Sequence, residues 1–143
     1  MGKIETPYDA LTYRIIGLAM KVHNELGPGF PEEFYQKAME ILMKAEKVPY
    51  DREFPIEIYF QQQLLGKFAL DFVIDRTVVL EMKAVTILAP IHEQQTLAYL
   101  AASGLPVALL INFGSARLEQ KRLFPPQAVQ SSSPFKSRRP LSL

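Results

Sequence analysis

Apolar residues recur at helical spacing in the first part of the chain. Leu11, Ile15, Leu18, Val22 and Leu26 fall on one side of a 3.6-residue period. Thr6 is placed to cap this first helix, Pro7 to open it and Asp9 to meet the positive end of its dipole. Gly27 and Pro28 then stop it. A second helix is predicted over about residues 31–46, with Phe34, Ala38, Ile41, Leu42 and Ala45 as its apolar stripe. The short Gly27-Pro28-Gly29 link favours close packing of the two helices.

The period then changes to two. Phe54, Ile56, Ile58 and Phe60 alternate with Pro55, Glu57 and Tyr59, as in a half-buried strand. Pro55 has no N–H for a ladder, which points to a sheet edge or a strand start. Gln61 to Gln63 and Gly66 predict a turn region. Further strands are expected over residues 67–75 and 78–84, a helix from Pro90 to about Gly104, and a fully buried strand over residues 106–113. A last short strand is expected over residues 121–124. This order gives an α/β (α+β) domain with a mixed central sheet of about four to five strands flanked by helices. Residues 1–125 are expected to form that single domain. Residues 126–143, rich in Pro, Ser and basic residues, are expected to be a disordered tail.

Composition narrows the chemistry. The 143 residues include no cysteine, which excludes a disulfide framework and thiolate metal sites. No apolar run reaches the roughly 18–20 residues of a membrane-spanning helix. Residues 1–7 carry no apolar leader segment, so a cytoplasmic protein without membrane attachment is expected. The net charge of +1 neither supports nor excludes a nucleic-acid partner. There is no Gly-rich phosphate loop and no zinc-spaced His set.

The segment from Leu70 to Lys83 carries the candidate chemistry. On the first strand, Phe68, Leu70, Phe72 and Ile74 are expected on one face and Asp71 and Val73 on the other. On the next, Val78, Leu80 and Met82 share a face, with Val79, Glu81 and Lys83 opposite. A loop of Asp75, Arg76 and Thr77 pairs Ile74 with Val78, Phe72 with Leu80 and Asp71 with Glu81, and keeps apolar against apolar. Directly opposed carboxylates repel each other. A hard divalent cation removes that repulsion and leaves positions for water and phosphate. Lys83, on the same face, could hold an anion or orient water. By periodicity alone, a solvated face explains these residues as well as a metal site does.

Asp71 followed by Glu81-Met82-Lys83 resembles the D…E-x-K signature of PD-(D/E)XK nucleases. Gly29-Phe30-Pro31-Glu32-Glu33-Phe34-Tyr35 resembles the pattern that names the GxxExxY family, a group placed in the same superfamily. His92-Glu93-Gln94-Gln95-Thr96-Leu97-Ala98-Tyr99-Leu100 and Leu110-Ile111-Asn112-Phe113-Gly114 extend the similarity. The resemblance implies a restriction-endonuclease-like core and a divalent-metal-dependent nuclease. It implies Asp71, Glu81 and Glu32 as ligands of Mg²⁺ or Mn²⁺, Lys83 as the catalytic lysine, and Gln95 as a further site residue, with Gly29 and Tyr35 in support. The partner implied is DNA or RNA.

Simpler readings stand beside these. Glu32 fits any helix first turn by the dipole alone, Gly29 permits an unusual backbone angle, Tyr35 packs or holds Glu32, and Asp75 is a turn residue. His92, Gln95 and Tyr99 fall on one helix stripe that either lies at the surface or lines the site. Two other functions remain open: a non-cleaving nucleic-acid or protein-binding module on the same fold, and an assembly protein whose exposed apolar face pairs two copies as a homodimer.

Overall fold

The computed structural model describes residues 6–126; residues 1–5 and, of the expected tail, residues 127–143 lie outside the described residues. The elements run α1 (Asp9–Leu26), α2 (Glu32–Ala45), β1 (Tyr50–Phe60), β2 (Gln63–Ile74), β3 (Val78–Lys83), α3 (Pro90–Ser103), β4 (Val107–Asn112) and β5 (Glu119–Leu123). The expected α+β order is therefore observed. The strands form a five-stranded sheet in the order β1-β2-β3-β4-β5. It is mixed: β3 and β4 are parallel across the α3 crossover, and the other neighbours are antiparallel.

Helices cover both faces. On one, Ile15, Leu18 and Val22 of α1 and Tyr35, Met39 and Met43 of α2 bury against Phe72, Ile74, Leu80, Met82, Leu109 and Ile111. On the other, Leu100, Ala102 and Leu105 pack on Ile56, Leu70, Val73, Val79, Ala108 and Leu110. β4 is buried at every position, as a strand covered on both sides should be.

Three expectations need correction. Regular helix in α1 begins at Asp9, with Tyr8 at the cap position. Thr6 still ties the first turn, accepting from the Tyr8 N–H at 3.2 Å and donating to Asp9 Oδ1 at 2.8 Å. In α2 the buried row is Tyr35, Met39 and Met43, while Phe34 and Ile41 of the expected stripe are exposed. The inward row is one residue further on because Tyr and Met supply it and the more obvious hydrophobes do not. The third correction concerns β2. Leu70 and Phe68 pack on the α3 side, whereas Phe72 and Ile74 pack on the α1–α2 side.

That change of face has a local cause. The β1–β2 ladder pairs Arg52 with Phe72 and Phe54 with Leu70 but leaves out Glu53 and Asp71. Glu53 has φ of 54°, a conformation side chains rarely adopt, and the hairpin twists there. Asp71 thus sits at the twist. The hairpin ends in a tight turn with both Gln61 and Gln62 at positive φ. β1 is an edge strand, which accommodates Pro55.

The entry to α2 is held by Tyr35. Its hydroxyl donates to the Gly27 carbonyl at 2.6 Å and accepts from the Phe30 N–H at 3.1 Å. Its ring stacks on Phe113 at 5.0 Å. Gly29, between these anchor points, has φ of 115°, which favours glycine. Tyr35→Phe strands two backbone groups and should cost about 1–3 kcal/mol of stability. Urea unfolding measures it; a loss under about 0.5 kcal/mol would mean that the hydroxyl does not hold the turn.

Candidate active site

Asp71 lies near the end of β2, and Glu81 and Lys83 lie on β3. The three-residue loop sets the register as expected: Ile74 pairs with Val78 and Phe72 with Leu80. The ladder stops there. Beyond it the backbone pairing is replaced by side chains. The Asp71 N–H donates to Glu81 Oε2 at 3.0 Å, and the Met82 N–H donates to Asp71 Oδ2 at 2.8 Å. Each carboxylate therefore bridges to the other strand's backbone, and among the described residues the second oxygen of each accepts no hydrogen bond.

The electrostatics follow from burial. Glu81 is 5% exposed. Desolvation, then the charge of Asp71, pushes its carboxyl up to about 8, against the pull of the Asp71 N–H and Lys83. Desolvation also raises Asp71; the Met82 N–H, Lys83 and Arg52 oppose it. Glu32, the first residue of α2, is raised by burial and by Asp71, with Lys83 again opposing. Three acids and one lysine thus share a field. Lys83 is fixed by the residue that follows β4: its carbonyl accepts from the Phe113 N–H at 2.8 Å.

The remaining expected residues stand further off. Glu32 couples to Asp71 through charge, but its Oε2 accepts from Gln36 Nε2 at 3.1 Å. Among the described residues, no three His, Asp or Glu side chains converge closely enough to cage a metal ion. Tyr35 and Gly29 shape the turn before Glu32, the Tyr35 hydroxyl bonding to the Gly27 and Phe30 backbone rather than to Glu32. Gln95 is exposed on α3, with no hydrogen bond to the carboxylates. His92 is a capping residue, its Nδ1 accepting from the Ala89 N–H at 2.9 Å. Tyr99 packs on Phe68, ring centroids 4.4 Å apart.

Sequence reasoning missed Arg52. Its guanidinium donates to Glu40 Oε1 at 2.9 Å and to Gln36 Oε1 at 2.8 Å, and lies 5.7 Å from the Phe72 ring centroid. Gln36 in turn holds Glu32, so a chain of hydrogen bonds runs from β1 to the acid at the head of α2. Only the alternation of Arg52 within a strand pattern could have flagged it, and its partners are distant in sequence. Asn112 lies in the segment Leu110-Ile111-Asn112-Phe113-Gly114. It is fully buried. Its side chain accepts from the Val85 N–H and donates to the Val85 carbonyl, both at 2.9 Å, which pins the chain just after Lys83.

The donor set suits a hard divalent cation. When both are ionised, half-buried Asp71 and buried Glu81 carry more negative charge than Lys83 offsets, and Mg²⁺ characteristically takes one or two carboxylates and keeps its other positions for water and phosphate. A twisted mixed sheet between helical layers, with a D…E-x-K set where two strands part, defines a nuclease-type α+β core. Residues 9–123 match the family model described as the PD-(D/E)XK nuclease superfamily, and the chain belongs to that superfamily. Among solved structures it is similar to a crystal structure of SSO0001, with 16% identity and a TM-score of 0.53, over 87% of this chain and 64% of that one. This likeness concerns the fold. No curated protein matches the sequence. Among the described residues, no helix is long and apolar enough to cross a membrane.

Proposed function

We propose that the protein is a Mg²⁺- or Mn²⁺-dependent phosphodiesterase acting on nucleic acid, of the GxxExxY type within its superfamily. The observation that supports this reading is the pair of half-buried Asp71 and buried Glu81, each bonded to the other strand's backbone, with desolvation raising both and the Asp71 charge raising Glu81 further. Buried like charges of this kind are destabilising unless a cation joins them. Asp71 and Glu81 would hold the metal, and Glu32 would complete the set, through water or after release from Gln36. A metal bound there would supply a Lewis acid and an activated water for phosphodiester hydrolysis. Lys83 puts a positive charge beside the position where the phosphate's negative charge grows. Gln95, exposed on α3, would meet the phosphate or the water only once substrate is bound.

Calorimetric titration of Mn²⁺ into the protein and into Asp71→Asn is the direct test. The unmutated protein should bind, and the variant should bind at least about tenfold more weakly, in line with losing a primary ligand. If neither binds up to millimolar Mn²⁺, the reading fails. One observation favours a second reading, a non-cleaving binding module on the same fold: Glu32 does not converge with Asp71 and Glu81 in this structure. Nucleic-acid affinity retained by Lys83→Ala, with no cleavage of DNA or RNA by the unmutated protein, would select that module.

A further inference from the structure

α2 carries two adjacent apolar rows. The inner row, Tyr35, Met39 and Met43, is buried. The outer row, Phe34, Ala38, Ile41 and Ala45, belongs with Leu42 to the stripe that helical periodicity marks most strongly; Ala38 is half-buried against the core, and Phe34, Ile41 and Ala45 are exposed among the described residues. Phe34 is 52% exposed and Ile41 67%. Phe30 extends the row, its ring stacked on Phe34 at 5.6 Å. Between this row and α1 runs a groove of about 540 Å³ with Val22, Leu26, Ala38, Ile41 and Leu42 in its walls. Contiguous apolar surface of this kind marks an interaction site.

We propose that a second copy of this chain covers the stripe, through an antiparallel two-fold contact of α2 with its counterpart. A two-fold contact requires a surface that complements itself, and the charges of α2 do. Its first turn is acidic, with Glu32 and Glu33, and its last turn carries Lys44. Eleven residues make close to three helical turns, so Glu33 and Lys44 lie along one flank of the stripe. Antiparallel pairing centred on Ala38 sets Glu33 of each copy against Lys44 of the other. It also opposes the helix dipoles favourably. Ala38, being small, allows close approach at the axis, and Phe34 then reaches the partner's groove near Ile41 and Leu42. The mixed signs of Lys21 and Glu25 in the groove wall, and of Glu33 paired with Lys37 on α2, suit a self-contact better than a partner of one charge. Glu32 lies roughly 160° around α2 from the stripe, by the 100° step of a helix, so the contact leaves the carboxylate site open.

Light scattering across a dilution series tests the proposal. The protein should show twice its 16.2 kDa chain mass. Ile41→Glu, at an exposed position, should keep its circular dichroism and weaken dimerisation by about 100-fold, as loss of a central apolar contact does. Glu33→Lys and Lys44→Glu should each weaken it by about tenfold, and the two together should restore it. A monomer at every concentration up to millimolar, or a dimer indifferent to Ile41→Glu, overturns the proposal. A double charge variant no tighter than either single one overturns the antiparallel pairing.

Discussion

In metal-free buffer the protein should lose stability as the pH rises from about 5 to about 9, and Glu81→Gln should remove most of that loss. Glu81 is raised to about 8 in the folded chain from a reference of 4.5. Between these values the native state holds a proton that the unfolded chain has released. Unfolding therefore liberates a proton, and stability falls by up to about 1.4 kcal/mol per pH unit. The stabilisation is complete below the unfolded value and is lost as the pH passes the folded one, a total of up to about 5 kcal/mol. Asp71, also raised, acts in the same direction. Asp9 and Glu119 are held low by their hydrogen bonds, to Thr6 and Arg122 and to Asn112 respectively, so their contributions disappear in acid, outside this window. Glutamine at position 81 keeps an acceptor for the Asp71 N–H without the charge. Urea unfolding at several pH values in chelator measures the effect. A flat profile in the unmutated protein would show that Glu81 is ionised when buried and would remove the electrostatic basis of the site.

Gly114→Ala should destabilise the protein by about 3 kcal/mol or more. A Cβ at Gly114 would lie 2.5 Å from the Val85 nitrogen and 2.6 Å from the Ala84 carbonyl carbon, and closer still to the Val85 oxygen. All three are backbone atoms, so no side chain can move aside. The collision falls on the segment that Asn112 pins and that follows Lys83 directly. The substitution should therefore lower both the unfolding free energy and any activity that needs Lys83. An unfolding free energy within about 0.5 kcal/mol of the unmutated protein would show that this contact relaxes freely.

The parts of this fold that were legible in sequence are those set locally. Pro90 and Gly104 bracket α3, where Gly104 adopts the left-handed cap. The loop of Asp75, Arg76 and Thr77 fixed the pairing of Phe72 with Leu80, and so brought Asp71 towards Glu81. What escaped depends on long-range geometry. Strict alternation put Leu70 and Phe72 on one face, but the twist at Glu53 and Asp71 separates them. Nothing in the local pattern marks Glu53 as a residue of positive φ. Arg52 looked like a polar strand position; its meaning comes from Gln36 and Glu40, on a helix earlier in the chain. In α2 two apolar rows competed, and periodicity favoured the more exposed one. The D…E-x-K residues were recognisable by resemblance. That Asp71 and Glu81 each take a backbone N–H was not.

Those two bonds make Asp71 and Glu81 the seam that joins β2 to β3 where their ladder ends. The seam restricts how such a site could decay over evolutionary time. Asparagine and glutamine keep an acceptor for each N–H and shed the buried charge, so they are the steps the fold tolerates best. Alanine leaves the amides of Asp71 and Met82 without acceptors and opens the sheet. A descendant that had given up its chemistry would therefore carry amides at these positions and still look, in outline, like its ancestor.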